Sequence, residues 1–158
     1  MTATASTPSK VLVRDIMSQP VLTVETDETL WDAWQLLFVS GLRHLVVIDR
    51  LGQTVGVLSD RNILAEVPAT AEHLSSKRVA DVLARVPVAV IGPNSDPKEA
   101  AGVMSRATSE AVPVVEADGR LVGIVTESDL VRWLGDESAA EAANNRTPAP
   151  SRVTGWLR

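Results

Sequence analysis

An internal duplication constrains the fold of this chain more than any other feature of its sequence. Residues 55–59 (VGVLS) match residues 122–126 (VGIVT) at an offset of 67 residues, and the match continues without a gap from Pro20 onward. Two units therefore lie at about residues 11–66 and 77–133. A repeat at a fixed offset indicates two copies of one structural unit that fold in the same way.

The segments outside the two units differ from them in composition. Residues 1–10 are mostly Thr, Ala and Ser, and residues 134–158 are rich in Ala, Asn, Glu and Pro. Segments of this kind bury too little apolar surface to offset the entropy lost on ordering. We therefore expect flexible N-terminal and C-terminal tails, with residues 67–76 as the linker between the units. The role of Trp156 in the second tail stays open.

Each unit is predicted to fold as strand, helix, strand, strand, helix (β-α-β-β-α), because short β-branched runs alternate with a helical pattern. The predicted strands are residues 21–24, 44–48 and 55–58 in the first unit and residues 88–91, 111–116 and 121–125 in the second. The last helix begins at Ser59 in one unit and at Thr126 in the other. One unit alone leaves an apolar sheet face uncovered, so we expect a mixed α/β (α+β) fold with the two repeats packed as a pseudo-two-fold pair.

The first unit contains the clearest helical pattern. Its predicted buried stripe recurs at i, i+3, i+4, i+7 and i+8, at Leu30, Ala33, Trp34, Leu37 and Phe38. A capping pair, Thr29 with Asp32, begins this helix, and Gly41 ends it. Trp31 lies off the stripe, and an exposed indole is typical of a contact surface. We therefore predict Trp31 at the interface of a homodimer; packing under a tail is the alternative.

The composition argues against several classes of partner and of chemistry. With 15 Lys and Arg against 20 Asp and Glu the formal net charge is −5, so nucleic acid and anionic lipid are not expected partners. There is no cysteine and the two histidines are far apart in the sequence, so we expect no metal site. Apolar runs are far shorter than the roughly 20 residues of a membrane helix, and the opening residues do not resemble a signal peptide. We expect a cytoplasmic protein that does not contact the membrane.

The sequence offers no catalytic arrangement. It has no cysteine nucleophile, no cluster of histidines and no Gly-rich phosphate loop. Carboxylates such as Asp60 and Glu127 stand in the repeated motif, but nothing positions them against a reactive partner. We therefore do not expect an enzyme.

Several segments recur in the same order in both units and together resemble a known family. One segment of each unit, residues 56–62 or 123–129, forms a motif: Gly, a hydrophobic pair, Ser or Thr, two further residues, and then Asn or Asp. The recurring segments are residues 13–17 (VRDIM) with 79–83 (VADVL), 43–47 (RHLVV) with 111–115 (AVPVV), and 56–62 (GVLSDRN) with 123–129 (GIVTESD). Over residues 11–133 the chain thus resembles a pair of CBS domains, the arrangement called a Bateman module.

The resemblance implies a regulatory module with two clefts between the repeats that receive AMP, ADP, ATP or S-adenosylmethionine. It implies that Asn62 and Asp129 contact ribose hydroxyls, and that Ser59 and Thr126 lie near the phosphate. The same residues also fit helix N-capping, in which a Ser or Thr and the residue three positions on bond to each other's backbone amides. The two roles are compatible, and Asn62 lacks the charge of Asp129.

Arg43 and His44 stand before the middle strand of the first unit, where the resemblance implies basic residues that meet phosphate. The alternative is a solvated strand edge. The second unit has Glu110 at the position equivalent to Arg43, and an acidic residue repels phosphate. We therefore expect two unequal clefts, a basic one at Asn62 and an acidic one at Asp129.

The expected function is that of a ligand-sensing module that binds adenine nucleotides (AMP, ADP or ATP) and acts in trans on a partner protein. No cofactor beyond that adenosine-containing ligand is implied. Two alternatives stay open: a dimerisation or protein-interaction module whose clefts hold no ligand, and a module that binds S-adenosylmethionine. The sequence identifies neither the regulated partner nor its pathway.

Overall fold

The computed structural model of this chain describes residues 10–83 and 88–144, with the side chains of the last helix described to residue 137. The predicted tails at residues 1–9 and 145–158, the second of them with Trp156, lie outside the described residues. In chain order the described elements are α1 (Val13–Ile16), β1 (Thr23–Glu25), α2 (Leu30–Ser40), β2 (His44–Ile48), β3 (Thr54–Ser59), α3 (Asp60–Leu64), α4 (Ala71–Ser75), α5 (Val79–Leu83), α6 (Pro97–Ala107), β4 (Ala111–Val115), β5 (Leu121–Thr126) and α7 (Glu127–Asn144).

Each repeat is built around a small sheet. In the first repeat β2 lies between its neighbours, parallel to β1 and antiparallel to β3. In the second repeat β4 pairs with β5 in antiparallel orientation. The register shifts at equivalent places in the two hairpins, after Val47 and after Val114. The duplication of the sequence is therefore also a duplication of structure, and the predicted mixed α+β fold with two repeats is confirmed.

The first strand predicted for the second repeat, residues 88–91, is reduced to a single bridge between Ile91 and Val114. In the first repeat the amide of Val46 donates to a carbonyl of the segment that leads into β1, and this bond extends the parallel pairing. The equivalent residue of the second repeat is Pro113, which has no N–H to donate. Pairing of this strand is therefore confined to Ile91.

The boundaries of α2 follow the signals in the sequence. The amide of Asp32 donates to Thr29 Oγ1 at 3.1 Å, and the Asp32 carboxylate accepts from the Thr29 amide at 3.3 Å. This reciprocal pair is the predicted capping box. Gly41 ends the helix in a left-handed conformation with φ of 69°, which glycine adopts without a steric penalty.

Two side chains of α2 differ from the predicted stripe. Phe38, expected to be buried, is 80% exposed, whereas Leu37 beside it is buried in the core. One step along a helix turns the side chain by about 100°, and near the end of α2 this step takes Phe38 off the core. Trp31, expected to be exposed, is half-buried and packs against the first core together with Trp34.

The two repeats exchange their opening helices. Although α1 opens the first repeat, it packs in the core of the second, where Val13 is fully buried and its amide donates to the Ser95 carbonyl at 2.9 Å. In the same way α5 packs in the core of the first repeat, where Val79 is fully buried and donates to the Glu28 carbonyl at 2.9 Å. The predicted boundaries therefore describe the sequence repeats but not the packed units.

The glycine of each motif lies where an exchanged segment approaches most closely. A Cβ on Gly123 would overlap the side chain of Met17, which directly follows α1. A Cβ on Gly56 would lie 3.0 Å from Leu83 Cδ2, at the end of α5. The motif therefore has glycine at Gly123 because the neighbouring side chain occupies the space of a Cβ.

The segments predicted as linker and C-terminal tail both contain helix. Within residues 67–76, α4 packs against α2 and buries Leu74 in the first core. α7 continues past residue 133 to Asn144, through an alanine-rich stretch of high helix propensity. Neither α7 nor any other helix of the described residues has the length and hydropathy needed to cross a membrane.

A third apolar cluster lies between the two repeats. Val46 and Val57 come from the first repeat, and Ala111 and Ile124 come from the second; all four are buried. Their strands β3 and β5 lead directly into α3 and α7. The cluster therefore brings the first turns of both helices to the boundary between the repeats.

Candidate functional site

Asp129 stands in the first turn of α7 with 3% of its surface exposed. Its Oδ2 accepts hydrogen bonds from the backbone amide and the hydroxyl of Thr126 at 2.8 and 2.9 Å, and its own amide donates to Thr126 Oγ1 at 3.3 Å. The other oxygen, Oδ1, accepts from Ser18 Oγ at 3.1 Å and from Arg132 Nη1 at 3.3 Å. Three side chains therefore hold one buried carboxylate in a fixed orientation.

Asn62 forms the same capping box at the start of α3. Its side-chain Oδ1 accepts from the backbone amide and the hydroxyl of Ser59 at 2.9 and 2.7 Å, and its backbone amide donates to Ser59 Oγ at 3.1 Å. An amide side chain has one acceptor oxygen, and the cap already engages it. Asn62 therefore has Nδ2 as its remaining polar atom, whereas Asp129 has a second acceptor outside the cap.

A cleft of about 300 Å³, which we call the Asp129 cleft, opens beside this carboxylate. One wall is the start of α7 with Thr126 and Asp129. The other wall comes from the first repeat and consists of residues 18–22, apart from Gln19, and 41–44. The volume is at the lower end of the range for small-molecule sites.

A second cleft of about 320 Å³, the Asn62 cleft, lies at the start of α3. Ser59, Arg61 and Asn62 form one side of it. Residues 106–110, at the end of α6 and before β4, form the other side. Each cleft thus combines the last helix of one repeat with the segment before the middle strand of the other.

This exchange of walls corrects one expectation from the sequence. Arg43 lines the Asp129 cleft and not the Asn62 cleft, and His44 and Glu110 line both clefts. Of the basic pair expected beside Asn62, the structure places His44 there and Arg43 in the other cleft, because each cleft draws its residues from both repeats. Ser59 and Asn62 lie together as expected, as do Thr126 and Asp129.

Glu110 lies among three basic side chains. Its Oε1 is 2.7 Å from Arg61 Nη1, and its Oε2 is 3.8 Å from both Arg43 Nη2 and His44 Nε2. Arg43 also forms an ion pair with Asp60 at 3.3 Å. Because Arg61 and Arg43 belong to different clefts, one carboxylate offsets positive charge in both.

His44 is the most buried basic group of the two clefts, with 12% of its side chain exposed. Its Nε2 is shielded from solvent and has no hydrogen-bond partner among the described residues. Burial is the main cause of a pKa below the ordinary histidine value of 6.5; Glu110 opposes this effect and Arg43 adds to it. The carboxylates of Asp60 and Glu127 also raise the pKa, more weakly. His44 is therefore uncharged at neutral pH and presents a neutral imidazole to the clefts.

Two polar cleft residues have no signal in the sequence. Ser18 reaches Asp129 because it follows the exchanged helix α1. Arg106 reaches the Asn62 cleft from the last turn of α6. No spacing in the sequence links either residue to its cleft, since both links arise from packing between the repeats.

The comparison with known families decides what these repeats are. The model of the CBS domain matches residues 13–69 and again residues 79–136. The chain belongs to the CBS-domain family. Each match overlaps one of the two repeats, so the resemblance carried by the GVLSDRN and GIVTESD segments is confirmed, and the clefts lie between two CBS domains.

Curated relatives of this CBS pair differ in length. The chain is 31% identical over 127 residues to L-aspartate semialdehyde sulfurtransferase of Methanocaldococcus jannaschii, a match that covers 78% of this chain and 23% of that protein. It is 31% identical over 134 residues to a CBS domain-containing protein of Dictyostelium discoideum, covering 79% of this chain and 92% of that protein. The chain therefore spans about a quarter of the first relative and most of the second.

Two solved CBS structures with bound ligands are similar to this chain. CBSX2 in complex with AMP aligns with a TM-score of 0.66 and 30% identity, covering 80% of this chain and 98% of that one. The CBS domain pair of protein MJ0100, in complex with 5′-methylthioadenosine and S-adenosyl-L-methionine, aligns with a TM-score of 0.64 and 27% identity, covering 81% and 98%. All three of these ligands contain adenosine.

Proposed function

We propose that this CBS pair is a regulatory module that senses an adenosine-containing ligand in the Asp129 cleft and acts in trans on a partner protein. The candidate ligands are the adenine nucleotides AMP, ADP and ATP, with S-adenosylmethionine as the alternative. The carboxylate of Asp129 is the observation that carries this proposal, because it is buried at the cleft and one of its oxygens is not needed by the helix cap.

The chemistry of this carboxylate suits a ribose. The cis-diol of a ribose has two O–H donors, and a carboxylate oxygen accepts such donors in charge-assisted hydrogen bonds. Oδ1 of Asp129 is held by the hydroxyl of Ser18 and by the largely exposed Arg132, and a ribose can displace both. Oδ2 stays in the cap of α7. Asp129 can therefore cap its helix and bind a ligand at the same time.

The ligands of similar proteins support the same class. CBSX2 is solved with AMP, and the CBS pair of MJ0100 with 5′-methylthioadenosine and S-adenosyl-L-methionine. The phosphate, sulfonium and thioether groups of these compounds differ, whereas the adenosine moiety is common to all. The proposal therefore concerns recognition of that moiety, and it assigns no catalytic role to the clefts.

The test is a thermal-shift panel on the full chain with AMP, ADP, ATP, adenosine and S-adenosylmethionine. A ligand that binds the folded state alone stabilises it by about 2.7 kcal/mol at one hundred times its Kd. We expect at least one of the five compounds to raise the Tm. If none of them does so, the alternative of an interaction module whose clefts hold no ligand is favoured.

The chain itself supplies a matched pair of variants. Asp129→Asn should keep the cap, because Asn62 forms the same capping box with an amide. It should nevertheless lose most of the ligand-induced shift, since a hydrogen bond to a charged group contributes about 1.5–3 kcal/mol. Asn62→Asp changes the other cleft and should leave the shift from the Asp129 cleft in place. Equal ligand shifts in wild type and Asp129→Asn would contradict the role of the carboxylate.

A further inference from the structure

The two clefts differ in the numbers of positive and negative side chains that line them. The Asp129 cleft is lined by two guanidinium groups and three carboxylates, those of Arg43, Arg132, Glu110, Glu127 and Asp129. The Asn62 cleft is lined by two guanidinium groups and one carboxylate, those of Arg61, Arg106 and Glu110. Because His44 is uncharged at neutral pH, the Asp129 cleft is formally negative and the Asn62 cleft is formally positive.

Glu110 contributes negative charge to both clefts. It is 2.7 Å from Arg61 of the Asn62 cleft and 3.8 Å from Arg43 of the Asp129 cleft. A phosphate that binds Arg61 in one cleft or Arg43 in the other competes with this carboxylate for that guanidinium group, and it is repelled by the same carboxylate. In the first repeat the equivalent position is Arg43 itself, so an acid stands here where the other repeat has a base.

We propose that Glu110 is the specificity-determining residue of this CBS pair, which disfavours phosphate in the Asp129 cleft and selects an adenosine ligand whose 5′ substituent is uncharged or cationic. This inference rests on the proposed function, because it assigns a charge class to the ligand of the same cleft. A sulfonium or amino group beside the ribose meets the carboxylates of Glu110 and Glu127 as opposite charges. A phosphate meets them as like charges, so among the candidate ligands of the proposed function this inference favours S-adenosylmethionine over the adenine nucleotides and disfavours the polyphosphate of ATP most.

The test is isothermal titration calorimetry with adenosine, AMP and S-adenosylmethionine. Both proteins carry Asn62→Ala, so that the Asp129 cleft alone keeps its ribose acceptor, and one of them also carries Glu110→Gln. With Glu110 present, we expect adenosine and S-adenosylmethionine to bind at least as tightly as AMP. With glutamine in its place, AMP should gain roughly tenfold relative to adenosine, which is about 1.4 kcal/mol, and S-adenosylmethionine should lose affinity.

Glu116→Gln is the matched control. It removes the same charge at the far end of β4, about 20 Å from Glu110 at the usual rise of a strand. We expect the ratio of AMP to adenosine affinity to stay unchanged in this variant. A tenfold gain here as well would assign the effect to net charge and overturn the role of Glu110.

Failure of this inference is distinguishable from failure of the proposed function. If adenosine binds and the AMP-to-adenosine ratio is the same with and without Glu110, the inference is overturned and the proposed function stands. The inference is also overturned if AMP binds ten times tighter than adenosine to the protein that retains Glu110. This outcome is measured without the Glu110→Gln variant, so it holds even if that variant does not fold. If none of the three compounds binds either protein, the inference fails, and the proposed function fails with it if none of the five compounds of the thermal-shift panel raises the Tm of the full chain.

Discussion

At the scale of single residues, His44 links the clefts to pH. Its folded pKa lies below the unfolded value of about 6.5, mainly because of burial, so protonation favours the unfolded state. The stability that neutral His44 contributes is fully present at a pH above the unfolded pKa of about 6.5, and it is lost as the pH falls from there through the lower folded pKa. We expect His44→Gln to lose less free energy of unfolding than wild type between about pH 7.5 and pH 5.5, as measured by urea denaturation.

The other histidine of the chain provides the control for this measurement. His73 lies on α4, outside both clefts. We expect His73→Gln to show the same acid-dependent loss of stability as wild type. If His44→Gln also retains the full loss, burial of His44 is not the cause of the acid response.

The capping roles of single residues could be predicted from the sequence because they are local. Thr126 and Asp129 are three positions apart, and a capping box needs no information beyond that spacing. The contact between Ser18 and Asp129 joins residues 111 positions apart, through a helix that crosses to the other repeat. No local pattern contains that information, so the composition of the clefts was predictable only in part.

At the scale of elements, the packing of Met17, which follows α1, against β5 depends on Gly123. Gly123→Ala places a methyl group in the space of the Met17 side chain, and overpacking of this kind costs about 1–3 kcal/mol. We expect that loss in urea denaturation, and we expect Met17→Ala to recover part of it when the two changes are combined. If the losses in free energy of unfolding of Gly123→Ala and Met17→Ala simply add in the double variant, the overlap between a Cβ at position 123 and the Met17 side chain is not the cause.

Pairing of the first strand in the second repeat makes a separate prediction. Pro113→Val restores an N–H at the position where Val46 donates in the first repeat. We expect the new amide to bond to the chain around Ala89 and to be protected from hydrogen exchange, as measured by NMR. Rapid exchange of that amide would show that something other than the missing donor confines the pairing to Ile91.

At the scale of the whole molecule, the homodimer stays a prediction with a definite surface. Phe38 and Val39 are 80% and 84% exposed at the end of α2, the helix that carries Trp31. Most soluble homodimers use the same patch on both subunits, so a charge at this patch is introduced twice. We expect light scattering to give a dimer at tens of micromolar, and Trp31→Glu or Phe38→Glu to shift it towards the monomer of 16.9 kDa.

A control with the same exposure lies elsewhere on the surface. Leu51, in the turn between β2 and β3, is also 84% exposed, and Leu51→Glu should leave the dimer intact. A wild-type protein that is monomeric at these concentrations would refute the dimer. Dissociation by Leu51→Glu alone would move the interface away from α2.

The overall architecture was predictable because most local signals occur twice, once in each copy of the duplication. Strand patterns, turn residues and helix caps recur at the same offset, so two similar units had to result. The assignment of α1 and α5 to their cores was not predictable. Val13 and Val79 begin equivalent segments of the repeated sequence, and the spacing within each segment does not indicate which of the two cores it fills.

The exchange of α1 and α5 makes the two repeats dependent on each other for folding. A fragment of residues 77–133 would contain α5 but not the core of the first repeat, which α5 completes. It would also contain the core of the second repeat but not α1, which completes that core. Such a fragment can meet both needs by reciprocal domain swapping with a second copy of itself. The tandem pair is therefore the smallest part of this chain in which both hydrophobic cores close within one molecule, and the cores should unfold together in one cooperative transition.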